Sequence, residues 1–159
     1  KEIKRHTLYG YQLLRKTPNI PDSVALAALQ HHERENGLGY PFQLIGEQIH
    51  LVSKIIAVAD VFHAMSSSRV YREADPFHKV IRRMNDDLYG AFNPSVMFVF
   101  LSNIMETMLG KKVQLSSGHI GTILYNHPFY PLKSLIQLED RSIIDMREDK
   151  ELQIEKVFS

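Results

Sequence analysis

The sequence has no cysteine, almost no net charge and no long apolar run. Without cysteine the chain can form neither disulfides nor thiolate metal sites. The formal net charge of +1 provides no overall field that would draw the chain to nucleic acid or to a membrane surface. No apolar run approaches the ~18 residues of a membrane-spanning helix. The absence of cysteine fits a reducing compartment, and we expect a cytoplasmic protein.

The length and composition are those of an ordinary soluble domain. The chain has 159 residues, of which 44% are hydrophobic and 23% are charged. This is enough for one packed core and a small appendage. Lys1 and Glu2 open directly into a helical pattern without a preceding methionine. We therefore expect the chain to be part of a longer protein.

The apolar pattern has a helical period over about the first 110 residues. Asp75-Pro76 and Asn93-Pro94 are typical helix starts, in which a capping residue precedes a proline in the first turn. Gly90 and Gly110 are plausible stops. The predicted helices cover residues 3–16, 21–32, 47–66, 75–89 and 93–110.

The period changes after Lys111. Val113–Leu115 and Ile120–Tyr125 flank a Ser-Ser-Gly turn and predict a hairpin. Leu135–Leu138 and Ile143–Met146 predict a second one, and a strand at residues 157–158 would complete the sheet. The sequence thus predicts a mainly α fold with a small C-terminal antiparallel β unit, divided into domains 1–110 and 111–159.

Two adjacent histidines stand at the centre of the segment LQHHERENGLGYP, residues 29–41. Imidazole suits iron, manganese and zinc. In a continuous helix, His31 and His32 would point about 100° apart, so both can face one ion only if the helix ends there. Gly37 and Gly39 would allow a sharp exit because glycine adopts positive φ without strain. A solvated helix end followed by a turn explains this segment equally well.

Asp60 falls on the predicted apolar stripe of the third helix, with Ile49, Val52, Ile56, Ala59 and His63. An unpaired buried carboxylate costs several kcal/mol or more, so an aspartate there needs a cation or several donors. The alternative is an aspartate at the edge of the stripe that reaches water or caps a neighbouring helix. The nearby histidines favour the cation.

Four segments together resemble the HD-GYP family of metal-dependent phosphohydrolases, which cleave the bacterial second messenger cyclic di-GMP. They are HTLYG at residues 6–10, HHERENGLGYP at 31–41, IIAVADVFHAM at 55–65 and SRVYR at 68–72. The resemblance extends to about residue 150 and implies that residues 1–110 are the rear part of an HD-type helical bundle.

The resemblance also implies a centre of two or three divalent metal ions, with iron or manganese expected. The implied ligands are His6, His31, His32 and Asp60. Such ions generate a hydroxide and offset charge on the attacking and leaving oxygens. Arg69 and Arg72 match positions that hold the substrate phosphates, which guanidinium groups suit, although exposed arginines after a helix end are usually solvated. Tyr40 would shape the substrate side of the site.

Several positions depart from the family pattern. The His-Asp pair that supplies a ligand and the bridging carboxylate would lie upstream of Lys1, because no His-Asp dipeptide occurs in the sequence. His63 stands where a second aspartate normally assists hydrolysis, so this catalytic position carries an imidazole. Thr7 and Val70 replace prolines, and Asn36 replaces an aspartate.

Two interpretations follow from the resemblance. The chain is part of a cyclic di-GMP phosphodiesterase and is inactive by itself, or it belongs to a catalytically degenerate module that binds a ligand or a protein. The expected partners are a cyclic dinucleotide and GGDEF-type cyclase domains, the latter contacting the loop of Gly39, Tyr40 and Pro41. Self-association is also expected, because an incomplete bundle exposes apolar surface.

Overall fold

A computed structural model of the chain describes residues 3–67, 75–86 and 90–158. Its helices are α1 (His6–Lys16), α2 (Asp22–Gln30), α3 (Leu51–Ser66), α4 (Phe77–Asn85) and α5 (Pro94–Glu106). Single 3₁₀ turns at Ile3–Arg5 and Gly46–Gln48 precede α1 and α3. The strands are β1 (Lys112–Leu115), β2 (Ile120–His127), β3 (Tyr130–Leu138), β4 (Ile143–Asp145) and β5 (Ile154–Val157).

The helix starts follow the capping signals of the sequence. The Asn93 side-chain oxygen accepts a hydrogen bond from the Val96 backbone N–H at 3.2 Å, which satisfies one of the free donors of the first turn. Gly90 and Gly110 both have positive φ, at 76° and 75°. Several helices are shorter than predicted: α2 ends at Gln30 rather than at residue 32, α3 begins at Leu51 rather than at residue 47, α4 ends at Asn85 rather than at Tyr89, and α5 ends at Glu106 rather than at residue 110. Residues 87–89 lie outside the described part of the chain.

The described residues divide into two compact units. One unit comprises the described residues 3–65, 84–86 and 90–97, and the other comprises the described residues 66–67, 75–83 and 98–158. In the first, α1 packs against α2 through small residues, and a Cβ added at Gly10 would lie 3.5 Å from the Ala28 Cβ. The predicted division of the chain between residues 110 and 111 stays a prediction.

The second unit contains a five-stranded antiparallel sheet in the order β4-β3-β2-β1-β5. Both predicted hairpins are present, and the last strand pairs with β1, with Val113 opposite Val157. One face of the sheet buries a cluster of side chains: Val113, Leu115, Ile123, Ile136, Met146 and Leu152. The α5 helix is tied to β2 by Asn126, whose amide donates to the Met105 carbonyl oxygen at 2.6 Å.

The sheet is more extensive than the small β unit that the sequence predicts. β2 and β3 are 8 and 9 residues long, because each continues beyond the apolar run that marked it. The described chain is therefore better classed as helices plus a substantial antiparallel sheet than as mainly α. Within the described ranges, no helix combines the length and the apolar character needed to cross a bilayer.

Removal of the α5 cap tests the start signal. We expect Asn93→Ala to lower the free energy of unfolding by about 1 kcal/mol, because the Val96 N–H loses its acceptor. Asn93→Asp, which keeps an acceptor, is the matched control and should be nearly neutral. Urea denaturation followed by circular dichroism measures both, and equal midpoints for Asn93→Ala and the wild type would refute the cap.

Candidate metal centre

Three imidazoles from distant parts of the sequence meet in the first unit. The Nε2 atoms of His6 and His31 lie 3.2 Å apart, and the ring of His32 is 4.1 Å from that of His31 between centroids. One nitrogen from each ring can be chosen so that all three lie within 4.8 Å of one another. Among the described residues, this is the cluster of histidine and acidic side chains that could hold an ion.

The convergence depends on where α2 ends. The helix ends at Gln30, and His31 is its C-cap, with φ −62° and ψ −16° and its N–H bonded to the Ala27 oxygen at 3.1 Å. His32 lies in the turn that follows the helix, and its ring centroid lies 4.1 Å from that of His31. A termination at this point is what the sequence required for two adjacent rings to face one ion.

A backbone hydrogen bond orients the ring of His31. Its Nδ1 lies 2.9 Å from the Ala28 carbonyl oxygen and 3.2 Å from that of Ala27. A carbonyl only accepts, so Nδ1 is the donor, and in the neutral imidazole the lone pair lies on Nε2, the atom that faces His6. Metal-binding histidines characteristically use their second nitrogen in this way.

His32 is held in the form that a metal ion requires. Burial lowers its pKa from 6.5 to about 4, and the neighbouring charge of His31 acts in the same direction, whereas Asp60 opposes both. The imidazole is therefore neutral at pH 7. The Tyr40 ring stacks on it at a centroid distance of 4.5 Å and an interplanar angle of 26°. The predicted role of Tyr40 at the substrate side stays a prediction.

Asp60 is close enough to the site to act on it electrostatically. It favours the charged form of both His32 and Arg34. The side chain is only partly buried, and it lies outside the set of ligand atoms within 4.8 Å. Its role as the ligand of a neighbouring ion stays a prediction.

The predicted apolar stripe of α3 was right for Ile49, which is 5% exposed and lies just before the helix, and wrong for Ile56 and His63. The residues that are buried on α3 are Ser53, Ala57, Val58 and Met65. Ile56 is 42% exposed, and His63 is exposed as well. Because α3 is apolar on more than one side, periodicity alone could not select the face that is buried.

Of the other predicted site residues, His63 is the one that the described part of the chain contains. His63 lies one turn beyond Asp60 on α3, and the cluster does not include it. Arg69 and Arg72 lie outside the described residues. The catalytic role of His63 and the phosphate-binding roles of the two arginines stay predictions.

The two glycines of the loop have different roles. Gly37 has φ +75°, as its expected role in a sharp turn requires. Gly39 does not lie in the left-handed region, contrary to expectation. A Cβ there would lie only 2.4 Å from the Glu33 Cα and 2.5 Å from the Arg34 backbone nitrogen. Glycine is needed at 39 for close backbone approach rather than for its φ.

Sequence reasoning missed two buried polar residues beside the histidines. Glu33 is 2% exposed, and its carboxylate accepts backbone N–H groups of Phe42 and Leu44. The Gln30 side-chain oxygen accepts from the His50 N–H at 2.9 Å and from the Ser53 hydroxyl at 3.0 Å. The sequence offered one signal for them. Gln30 and Glu33 flank the histidine pair, and the backbone amides of the following loop need acceptors.

The donor set fits a transition metal. Three imidazole nitrogens are suitable for iron, manganese or zinc, and at least one of them is already directed by its backbone hydrogen bond. His6, His31 and His32 would hold the ion. With three protein ligands, coordination positions remain for water or substrate.

The family comparison agrees with this site. Residues 1–92 match the family described as the HD domain. The chain belongs to the HD domain family. The match includes all three histidines and Asp60, and the predicted HD-GYP kinship is confirmed. HD domains are metal-dependent, in accord with the histidine cluster.

Curated relatives of this chain are phosphodiesterases by name. A cyclic di-GMP phosphodiesterase of Pseudomonas aeruginosa is 36% identical over 125 residues, which cover 79% of this chain and 30% of the relative. A cyclic di-GMP phosphodiesterase response regulator of Xanthomonas campestris is 53% identical over 73 residues, covering 45% and 19% of the two chains. A 3'3'-cGAMP-specific phosphodiesterase of Vibrio cholerae is 33% identical, covering 72% and 25%. The chain thus spans less than a third of these relatives.

Replacement of His31 tests the metal centre. We expect His31→Ala to lower the metal content of the intact protein, because the ring with a preset lone pair is lost. His119→Ala is a suitable control, since that exposed imidazole contacts Ser117 in a turn of the sheet. Elemental analysis after dialysis measures both variants, and unchanged iron or manganese stoichiometry would exclude His31 as a ligand.

Proposed function

We propose that this chain is part of a metal-dependent phosphodiesterase of the HD-GYP type that hydrolyses cyclic di-GMP in the intact protein, which we expect to be cytoplasmic. The observation that carries the proposal is the meeting of His6, His31 and His32 in a family of metal-dependent enzymes. The names of the relatives support a cyclic dinucleotide as the substrate class. Iron or manganese is the proposed metal.

The proposed site residues would have different roles in the reaction. His6, His31 and His32 would hold one ion, and Asp60 would contribute to a neighbouring position. The bound metal would supply a hydroxide at neutral pH and charge stabilisation for the phosphodiester. Arg69 and Arg72 would bind phosphate oxygens, for which bidentate guanidinium groups are suited. Tyr40 stacks on His32 and would limit the space above that ring.

A comparison of the intact protein with this chain tests the proposal. The intact protein should convert cyclic di-GMP to a linear product when it is loaded with manganese or iron, and its His31→Ala variant should not. The purified 159-residue chain should show no turnover, because it contains no His-Asp pair to bridge two ions. Chromatographic separation of substrate and product measures the reaction.

Each outcome of that comparison is informative. Turnover by the metal-loaded chain would contradict the need for a bridging His-Asp pair. A lack of turnover by the metal-loaded intact protein would contradict the enzymatic proposal. His63→Asp restores the carboxylate that is usual at this position and should increase turnover if the imidazole weakens hydrolysis.

The second candidate is a module that binds without catalysis. It is favoured by the exposed apolar side chains of the loop, where Leu38, Phe42 and Ile45 are 81%, 57% and 54% exposed. Such side chains are typical of a protein contact surface. In this case the intact protein would bind cyclic di-GMP or a GGDEF-type cyclase domain in calorimetry and would not hydrolyse the nucleotide.

We also propose that copies of this chain associate through α1. Tyr9 and Leu13 are 60% and 69% exposed and lie one turn apart on the same side of the helix. Light scattering after size exclusion should give a mass above that of the monomer, and Leu13→Gln should shift it downward. A monodisperse monomer at all concentrations would contradict this proposal.

A further inference from the structure

Glu33 is a buried acid that the proposed chemistry does not use. Its side chain is 2% exposed. The Phe42 N–H donates to Oε1 at 2.7 Å, and the Leu44 N–H donates to Oε2 at 3.0 Å. Both oxygens thus bind amides of the loop that follows the histidine pair. A buried carboxylate is stable only with such donors, so the loop and the acid depend on each other.

The same loop returns to the backbone that carries the histidines. The Tyr40 N–H donates to the His32 carbonyl oxygen at 3.1 Å. Gly39 lies so close that a Cβ would approach the Glu33 Cα to 2.4 Å. These contacts place the Tyr40 ring against His32, at 4.5 Å between centroids.

The Arg34 side chain also binds the backbone that carries the histidines. Its Nη1 donates to the His31 carbonyl oxygen at 3.1 Å and to the Glu33 carbonyl oxygen at 2.7 Å. Its guanidinium group also lies 4.7 Å from the ring centroid of the buried Phe92. The Arg34 side chain therefore holds the backbone from His31 to Glu33, and the Glu33 carboxylate holds the loop.

We propose that Glu33 is a positioning residue of the metal centre: its carboxylate holds residues 37–46 so that Tyr40 packs on His32 and fixes the direction of that ring. This inference rests on the proposed metal centre. Groups that orient metal ligands without touching the ion commonly affect metal affinity, and their replacement costs about 10–100-fold. Glu33 acts through the loop and Tyr40, not through contact with the metal or substrate.

The first test uses the metal-free 159-residue chain. Glu33→Gln keeps the size of the side chain, but one of its two oxygens becomes an amide nitrogen that cannot accept an N–H. Stacking on Tyr40 gives the His32 ring protons a ring-current shift in NMR spectra, and a His32→Gln spectrum assigns them. We expect Glu33→Gln to remove much of that shift and to increase amide exchange at Phe42 and Leu44.

The second test measures cobalt(II) binding to the same chain by competition with a chelator and by visible absorption. Glu33→Gln should weaken cobalt affinity about 10–100-fold and change the absorption of the bound ion. Glu33→Asp separates charge from reach, because it retains the negative charge but is one methylene too short to bind both amides. It should lose affinity similarly if position matters.

Two further variants complete the design. Glu35→Gln is the matched control, because this substitution removes the same charge two residues away. The Glu35 carboxylate pairs with Lys54 at 2.9 Å. Glu35→Gln should leave the His32 signals and the cobalt affinity unchanged. Gly39→Ala forces the loop away from the Glu33 backbone while the Glu33 carboxylate itself is retained, and it should reproduce both effects. It also replaces Glu33→Gln if circular dichroism shows that variant to be unfolded.

The outcomes separate this inference from the proposed function. Unchanged His32 signals in Glu33→Gln or Gly39→Ala would overturn the positioning role, as would unchanged cobalt affinity. Equal losses in Glu35→Gln and Glu33→Gln would assign the effect to charge and also overturn it. Failure of the wild-type chain to bind cobalt would refute the proposed histidine site, whereas the metal-free spectra would still decide whether Glu33 positions His32.

Discussion

The end of α2 at Gln30 is the constraint on which the candidate site depends. In a continuing helix, the two adjacent imidazoles would diverge by about 100°. The helix ends at Gln30, His31 is its C-cap, and His32 lies in the turn that follows, where both rings approach His6 at the first residue of α1. The packing of α1 on α2 is equally necessary, since it brings a residue from 25 positions earlier to within 3.2 Å of His31.

Buried polar groups hold this helix end in place. Gln30 accepts hydrogen bonds from the start of α3, and Glu33 accepts them from the following loop. Each is costly to bury alone and is stabilised because its acceptors are matched by backbone or hydroxyl donors. The histidine pair is therefore flanked on both sides by a buried, hydrogen-bonded support. Such a support favours metal ligands, which must keep their directions when no ion is bound.

The residues that sequence reasoning located and those that it missed differ in a physical respect. His6, His31 and His32 could be proposed from residue type and family resemblance, and Asn93 from capping chemistry. Glu33 was missed because an acidic residue in a charged turn usually faces water. The stripe through Asp60 was misassigned because α3 has apolar residues on several sides, and burial is decided by neighbouring elements rather than by period.

The sequence by itself determined the helices, the hairpins and the kind of metal donors available, because capping, periodicity and ligand chemistry are local properties. Only the tertiary structure decided that His6 joins the pair, that Gly39 is required for close approach and that the Glu33 carboxylate faces inward to bind Phe42 and Leu44. These outcomes depend on contacts between segments that are distant in sequence. No local pattern specifies them, because the packing of the whole unit determines which donors and acceptors meet.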